Sequence, residues 1–168
     1  MGDLLAAGSG ATSVQAWGIA VAALVAVAGY LVNQRLARRE RKSTMFASAI
    51  EATVAYQEMP YRVRRRPPDD ASERMRLVNS MSDVQEKIAF HQAWIATESE
   101  QVAEKYKVLV DAVRREAGEH MRQAWLQPAI SSDADVNMAE PLLCPEADRA
   151  REQCVEGMRK HLRSWLHW

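Results

Sequence analysis

Four histidines (His91, His120, His161 and His167) and two cysteines (Cys144 and Cys154) are the side chains of this 168-residue sequence best suited to proton transfer, nucleophilic attack or metal ligation. Cys144, Cys154, His161 and His167 together make a zinc-type donor set. Nine, six and five residues intervene between successive members, and neither a CxxC pair nor an HExxH pair is present. Helical phase puts Cys154 and His161 on one face, which an ordinary core stripe does equally well. His91 falls inside an apolar stripe and reads as a core or interface residue, and His120 follows Gly118-Glu119 near a helix end. A Gly-rich phosphate loop, a GxSxG elbow and paired acids on one face are all missing from the sequence. The expectation is a chain with no catalytic residues, no metal, no cofactor and no identified small-molecule substrate. Two cysteines are too few for a disulfide framework and read as free thiols.

The other chemically dense stretch is "YQEMPYRVRRRPPDD", residues 56–70, where Tyr61, Arg62, Arg64, Arg65 and Arg66 form a candidate docking element for an acidic surface. Its setting is an ordered charge pattern hidden by a net charge of zero. Residues 1–34 carry one charge, Asp3. Residues 35–66 carry nine basic and three acidic residues, and residues 67–168 carry 13 basic and 18 acidic ones. A neutral arm is thus followed by a basic segment and an acidic body. Countercharge for the arginines can come from that body, from a neighbouring copy, from a protein partner or from a membrane surface. Tyr56 and Tyr61 could stack on bases, but two tyrosines are a weak nucleic-acid signal, and nucleic acid is disfavoured as a partner.

The elements that position these residues begin with "AWGIAVAALVAVAGYLV", Ala16 to Val32, which has no charged side chain. With its flanks it reads as a transmembrane helix over 15–34, close to the roughly 30 Å of a bilayer core. Trp17 and Tyr30 sit near its ends, where amphipathic rings favour the interface. Gly18, Ala22 and Ala26 recur every four residues, a small-residue spacing that lets helices approach or simply reflects an Ala-rich span. "AVAG" at 26–29 has the look of a signal-peptidase site. The n-region lacks positive charge, however, and five basic residues in the eight of "RLARRERK" follow at once, so cleavage is disfavoured. Arg35, Arg38, Arg39, Arg41 and Lys42 set topology and contact anionic lipid. They place a short arm, 1–14, outside and everything from residue 35 onward in the cytoplasm, which makes the chain a single-pass inner-membrane protein.

Beyond the span, a juxtamembrane basic helix over 35–58 ends at Pro60 or bends and restarts at Ser43-Thr44, with Phe46, Ile50, Thr53, Val54 and Gln57 as its face. Residues 59–70 read as a Pro/Arg-rich connector. Asp70 with Glu73 reads as a capping box. Leu77, Met81, Val84, Ile88, His91 and Ile95 then alternate spacings of four and three, and after a second capping signal at 97–100 so do Val102, Tyr106, Leu109, Val113, Ala117 and Met121. Two arrangements of 71–126 remain open, an antiparallel hairpin turning at 96–99 and one helix of about 55 residues that needs a partner chain. A loop over 127–144 and an amphipathic helix over 145–168, with Cys154, Val155, Met158, His161, Leu162 and Trp165 on its face, complete the chain. That final helix packs on the hairpin or, through Trp165, Leu166 and Trp168, lies at a membrane interface. The fold class is all-α: one transmembrane helix and a cytoplasmic hairpin or bundle of three to four helices, with coiled-coil-like packing.

"YQEMPYRVRRRP", "DVQEKIAFHQAW" and "VAEKYKVLVDAVRREAG" together resemble a group of uncharacterised bacterial membrane proteins with one N-terminal span and a helical cytoplasmic region. The resemblance covers roughly residues 15–127 and implies organisation only, with no activity and no functional residue. The function expected from these features is that of a membrane-anchored, non-catalytic scaffold that self-associates or binds a protein through helix–helix contacts and the basic element. A pore-forming or toxin-like oligomer and a membrane tether for nucleic acid are the alternatives.

Overall fold

The computed structural model describes residues 9–68, 70–131 and 141–164, with side chains at Trp17 and from Val21 onward. The first eight residues of the expected arm, the side chain of Gly18, loop residues 132–140 and the tail bearing Trp165, Leu166, His167 and Trp168 lie outside the described residues. Four helices are described and, among those residues, no strand: α1 (Ser9–Arg64), α2 (Ala71–Glu98), α3 (Glu100–Leu126) and α4 (Pro145–Ser164). The chain divides into two compact units, Met1–Lys42 and Ser43–Trp168.

In the first unit every described side chain from Val21 to Leu36 is exposed. Among the described residues, no helix is long and apolar enough to cross a membrane. The side chains of Gln15, Ala16 and 18–20, which complete the expected span, are not among them.

In the second unit the end of α1 joins α2, α3 and α4 around one core. Cross-contacts give the direction of each helix. Tyr106 near the start of α3 donates from its hydroxyl to Ala49 O (3.0 Å), and Arg66 just past α1 reaches Ala124 near the end of α3, so these two segments run parallel. Phe46 meets Trp94 late in α2 and His161 late in α4, with ring centroids 5.6 and 6.0 Å apart, so α2 and α4 run the other way. Both α2 and α4 pack on α3. That central position explains why α3 buries Val110 and Ala112 as well as Val102, Tyr106, Leu109 and Val113. Its apolar face is wider than a two-helix seam requires.

Residues 71–126 form two helices joined by one residue. Ser99 is extended (φ −163°, ψ 117°), closes α2 through its backbone N–H to Ile95 O, and opens α3 by accepting from Val102 N at 3.4 Å. An extended residue needs no glycine, so the chain turns without one. Thr97 takes no part in this cap and donates to Trp94 O instead (2.7 Å).

Several boundaries differ from the sequence reading. α1 breaks neither at Ser43-Thr44 nor at Pro60 but continues to Arg64, so the expected connector over 59–70 shrinks to residues 65–70. A proline inside a helix costs about 3 kcal/mol, yet Met59 (0% exposed) and Val63 (1%) are both core residues. Keeping the last turn helical is what buries them, which offsets the missing hydrogen bond. The buried face of this segment is Phe46, Ala49, Ala52, Thr53, Tyr56, Met59 and Val63, whereas Val54 is exposed and Ile50 and Gln57 are half-buried. Asp70 caps α2 by accepting from Glu73 N (3.0 Å), but Glu73 does not close a capping box, because both its carboxylate oxygens engage Arg76.

At the start of α4, Pro145 occupies a position where a missing N–H costs nothing. The next two amides, of Glu146 and Ala147, donate to the Glu116 carboxylate of α3 at 3.2 and 2.9 Å. A side chain of one helix therefore caps another.

Candidate docking site

The expected docking residues cluster at the end of the bundle where α1 and α3 stop, but they do not act as a set. Arg66 turns inward. Its Nη1 donates to Val63 O (2.9 Å) and Ala124 O (3.0 Å), and its Nη2 donates to Trp125 O (3.4 Å) and Gln127 O (2.6 Å). Its guanidinium carbon also lies 5.1 Å from the centre of the Trp125 ring. The carbonyls at a helix C-terminus lack intrahelical donors and carry the negative end of the helix dipole. Arg66 thus caps α3 from outside, and Ile130 N donates back to Arg66 O (3.2 Å). Three of its hydrogen bonds serve this task and a fourth holds Val63 O of α1, which leaves one of the five guanidinium protons.

Tyr61 is likewise committed, since its hydroxyl accepts from Leu142 N at 2.8 Å and holds the return of the α3–α4 connection. Arg65 lies over the Tyr61 ring at 5.9 Å. Arg62 and Arg65 are exposed and Arg64 is half-buried, and none of the three forms an ion pair with a described carboxylate. Among the described residues, the acidic body therefore does not neutralise this cluster through direct ion pairs.

A cleft of about 340 Å³ opens beside Arg66, walled by Pro67, Pro68 and Pro128, with Asp70 and Arg74 at its margin. Burial and the like charges of Arg74 and Arg64 hold the Arg66 guanidinium below its ordinary value. Arg74 was no part of the docking set expected from the sequence. Asp69, Asp70 and Glu73 precede it in the sequence and separate it from the arginine row, and folding brings it beside Arg66.

The remaining expected residues fall in two places. In the first unit Trp17 (74% exposed), Ala22, Ala26 and Tyr30 are exposed, and Gln34 Nε2 donates to the Tyr30 hydroxyl at 3.3 Å. Arg35, Arg38 and Arg41 are exposed, and Arg39 and Lys42 half-buried. In the second unit Leu77, Val84, Ile88, Ile95, Val102, Tyr106, Leu109 and Val113 are buried, and Met81 is half-buried against the same core.

The chemically versatile side chains are dispersed. Cys154 is fully buried and its thiol is pushed up to about 12 by that burial, while burial raises the Cys144 thiol as well. Neither has the thiolate character a nucleophile needs. His161 Nε2 donates to the Glu98 carboxylate (3.0 Å), and His120 Nε2 donates to Leu143 O (2.9 Å). His91 is 7% exposed, and its Nδ1 has no hydrogen-bond partner among the described residues. No group of three or more His, Cys, Asp or Glu side chains among the described residues could hold a metal ion. No family model matches the chain, no curated protein matches it and no solved structure matches it, so its reading rests on the residues described above.

Proposed function

We propose that the chain is a membrane-anchored interaction protein: the apolar first part of α1 sits in the bilayer, and the helical bundle presents a basic docking surface on the cytoplasmic side. The observation that carries this reading is the exposure of Val21, Leu24, Val25, Val27, Leu31 and Val32, each between 48% and 71%, within a stretch of α1 that has no charged side chain. A helix apolar all round calls for an apolar environment, and contiguous exposed apolar surface marks a site that something covers. The expected span over 15–34 includes residues outside the described set, and with them the uncharged stretch reaches bilayer length. The basic run Arg35–Lys42 supports the orientation.

Alkaline extraction of native membranes, combined with protease added to intact cells, tests the proposal. The protein is expected in the membrane pellet, with the bundle protected from external protease. Changing Ala22 to Arg, which costs about 3 kcal/mol at the centre of a span, is expected to move it to the soluble fraction. Release of the unaltered chain by alkali, or digestion of its bundle from outside, defeats the reading.

A further inference from the structure

The cleft beside Arg66 combines three properties that a docking point for an acidic segment needs. Its walls are preformed, because Pro67, Pro68 and Pro128 have fixed φ and little freedom left to lose on binding. Among the described residues its charge is uneven: Arg66 and Arg74 border it, with Arg64 close enough to repel Arg66, and Asp70 is the acidic residue described there. That carboxylate is already engaged, with Oδ1 accepting from Glu73 N at 3.0 Å and from Ser72 Oγ at 2.6 Å. Finally, its donors are unequal. Arg66 contributes charge but has spent its fork on Val63 of α1 and on the end of α3, whereas Arg74 is exposed and its guanidinium forms no hydrogen bond or ion pair with a described residue, its backbone N–H alone donating to Asp70 O.

From this geometry we infer that the cleft lodges an acidic side chain from an extended segment of a partner protein, with Arg74 as the residue that binds its carboxylate and the proline rings covering its methylene stem. The inference rests on the docking reading above and moves its centre from the Arg62–Arg65 row to Arg74. A volume of about 340 Å³ is several times that of a bare carboxylate, so the occupant brings apolar atoms as well as charge. A guanidinium–carboxylate contact at such a place gives both energy and geometric selection. Arg62 and Arg65, out in solvent, supply only screened attraction.

The test uses the full chain in nanodiscs of neutral lipid and a short fluorescein-labelled oligoglutamate peptide, read by anisotropy at low salt, with oligoglutamine as the control. Arg74→Gln is expected to weaken oligoglutamate binding about tenfold or more, and the double change Arg62→Gln with Arg65→Gln only about two- to threefold. Arg74→Lys, which keeps the charge and loses the fork, is expected to fall between wild type and Arg74→Gln. Unaltered circular dichroism of the Arg74 variants, whose side chain is exposed, separates lost binding from lost folding. If Arg74→Gln binds like wild type while the double variant loses affinity, the cleft is not the site and the basic docking reading survives without it. If wild type binds oligoglutamate no better than oligoglutamine, the docking reading itself fails. If millimolar inorganic phosphate displaces the peptide completely, the cleft is a free-anion site and the partner-segment assignment is overturned.

Discussion

Before Lys42, α1 exposes Val21, Leu24, Val25, Val27 and Leu31; after it, the same helix buries Phe46, Ala49, Thr53, Tyr56 and Val63 along one face. Both stretches are rich in alanine and free of glycine over most of their length, and both are helical. What separates them is the distribution of apolar surface around the axis. A stripe requires a partner in one direction, which α2, α3 and α4 supply. Apolar surface all round requires a medium instead, and lipid is one that needs no matching shape. Sequence periodicity, more than composition, therefore decides which part of this helix is a bundle element and which part is the proposed anchor.

Damage to the bundle core should break one side of this contrast and spare the other. Leu109 is 0% exposed at the centre of α3, and truncation to alanine leaves a cavity. Leu109→Ala is expected to cost about 2–5 kcal/mol of bundle stability, read as a lower urea midpoint by tryptophan fluorescence. Retention in alkali-washed membranes should be unchanged. If the two properties fall together, the division of labour within α1 is wrong.

A smaller effect sharpens the boundary between holding the bundle and docking a partner. Arg66→Gln removes the charged fork that closes α3 on Ala124, Trp125 and Gln127. The expected cost is about 1–2 kcal/mol, with faster amide exchange at Gln127 and Ile130, whose amides donate to Gln123 O and Arg66 O. Exchange left as slow as in wild type would show that the clamp contributes nothing.

These contrasts also show what a reader of the sequence could see. The heptad spacing of Leu77, Val84, Ile88 and Ile95 carries its own evidence, because large apolar residues at helical period have few alternatives to a buried face. The same logic finds Phe46 and Thr53 in the bundle half of α1 but misses Ala49 and Ala52, which line the interface and look no different from filler. Small residues mark close approach only once the neighbouring helix is known. The turn at Ser99 is hard to place because the residue is merely extended, a conformation every amino acid adopts. Pro60 misleads for a related reason: the rule against prolines in helices is local, and the burial of Met59 and Val63 that overrides it is not. The roles of Arg66 and Tyr61 depend on carbonyls and an amide 58 to 81 residues away, separations no spacing rule spans. Arg74 stayed hidden because Asp69, Asp70 and Glu73 separate it in sequence from the arginine row that ends at Arg66, whose guanidinium it neighbours in space.

The smallest expected effect concerns His91, the one buried polar residue in the α2 stripe. Burial lowers its affinity for a proton, and the negative charge of Glu51 on α1 opposes that only in part. A histidine depressed in the folded state binds protons more readily once unfolded. At pH above the ordinary histidine value of about 6.5 neither state is protonated and the group has no effect on stability. As pH falls through that value the unfolded chain takes up a proton first, so stability declines until the folded pKa is also passed. The bundle is therefore expected to lose urea resistance between neutral pH and mild acid, and His91→Leu should flatten that slope. The substitution also removes an Nδ1 that has no partner among the described residues, so its effect at neutral pH should be small or favourable. An unaltered acid slope in His91→Leu would assign the decline to another group. A large loss of stability at neutral pH would mean that the imidazole, and not merely an apolar shape, is what the core requires.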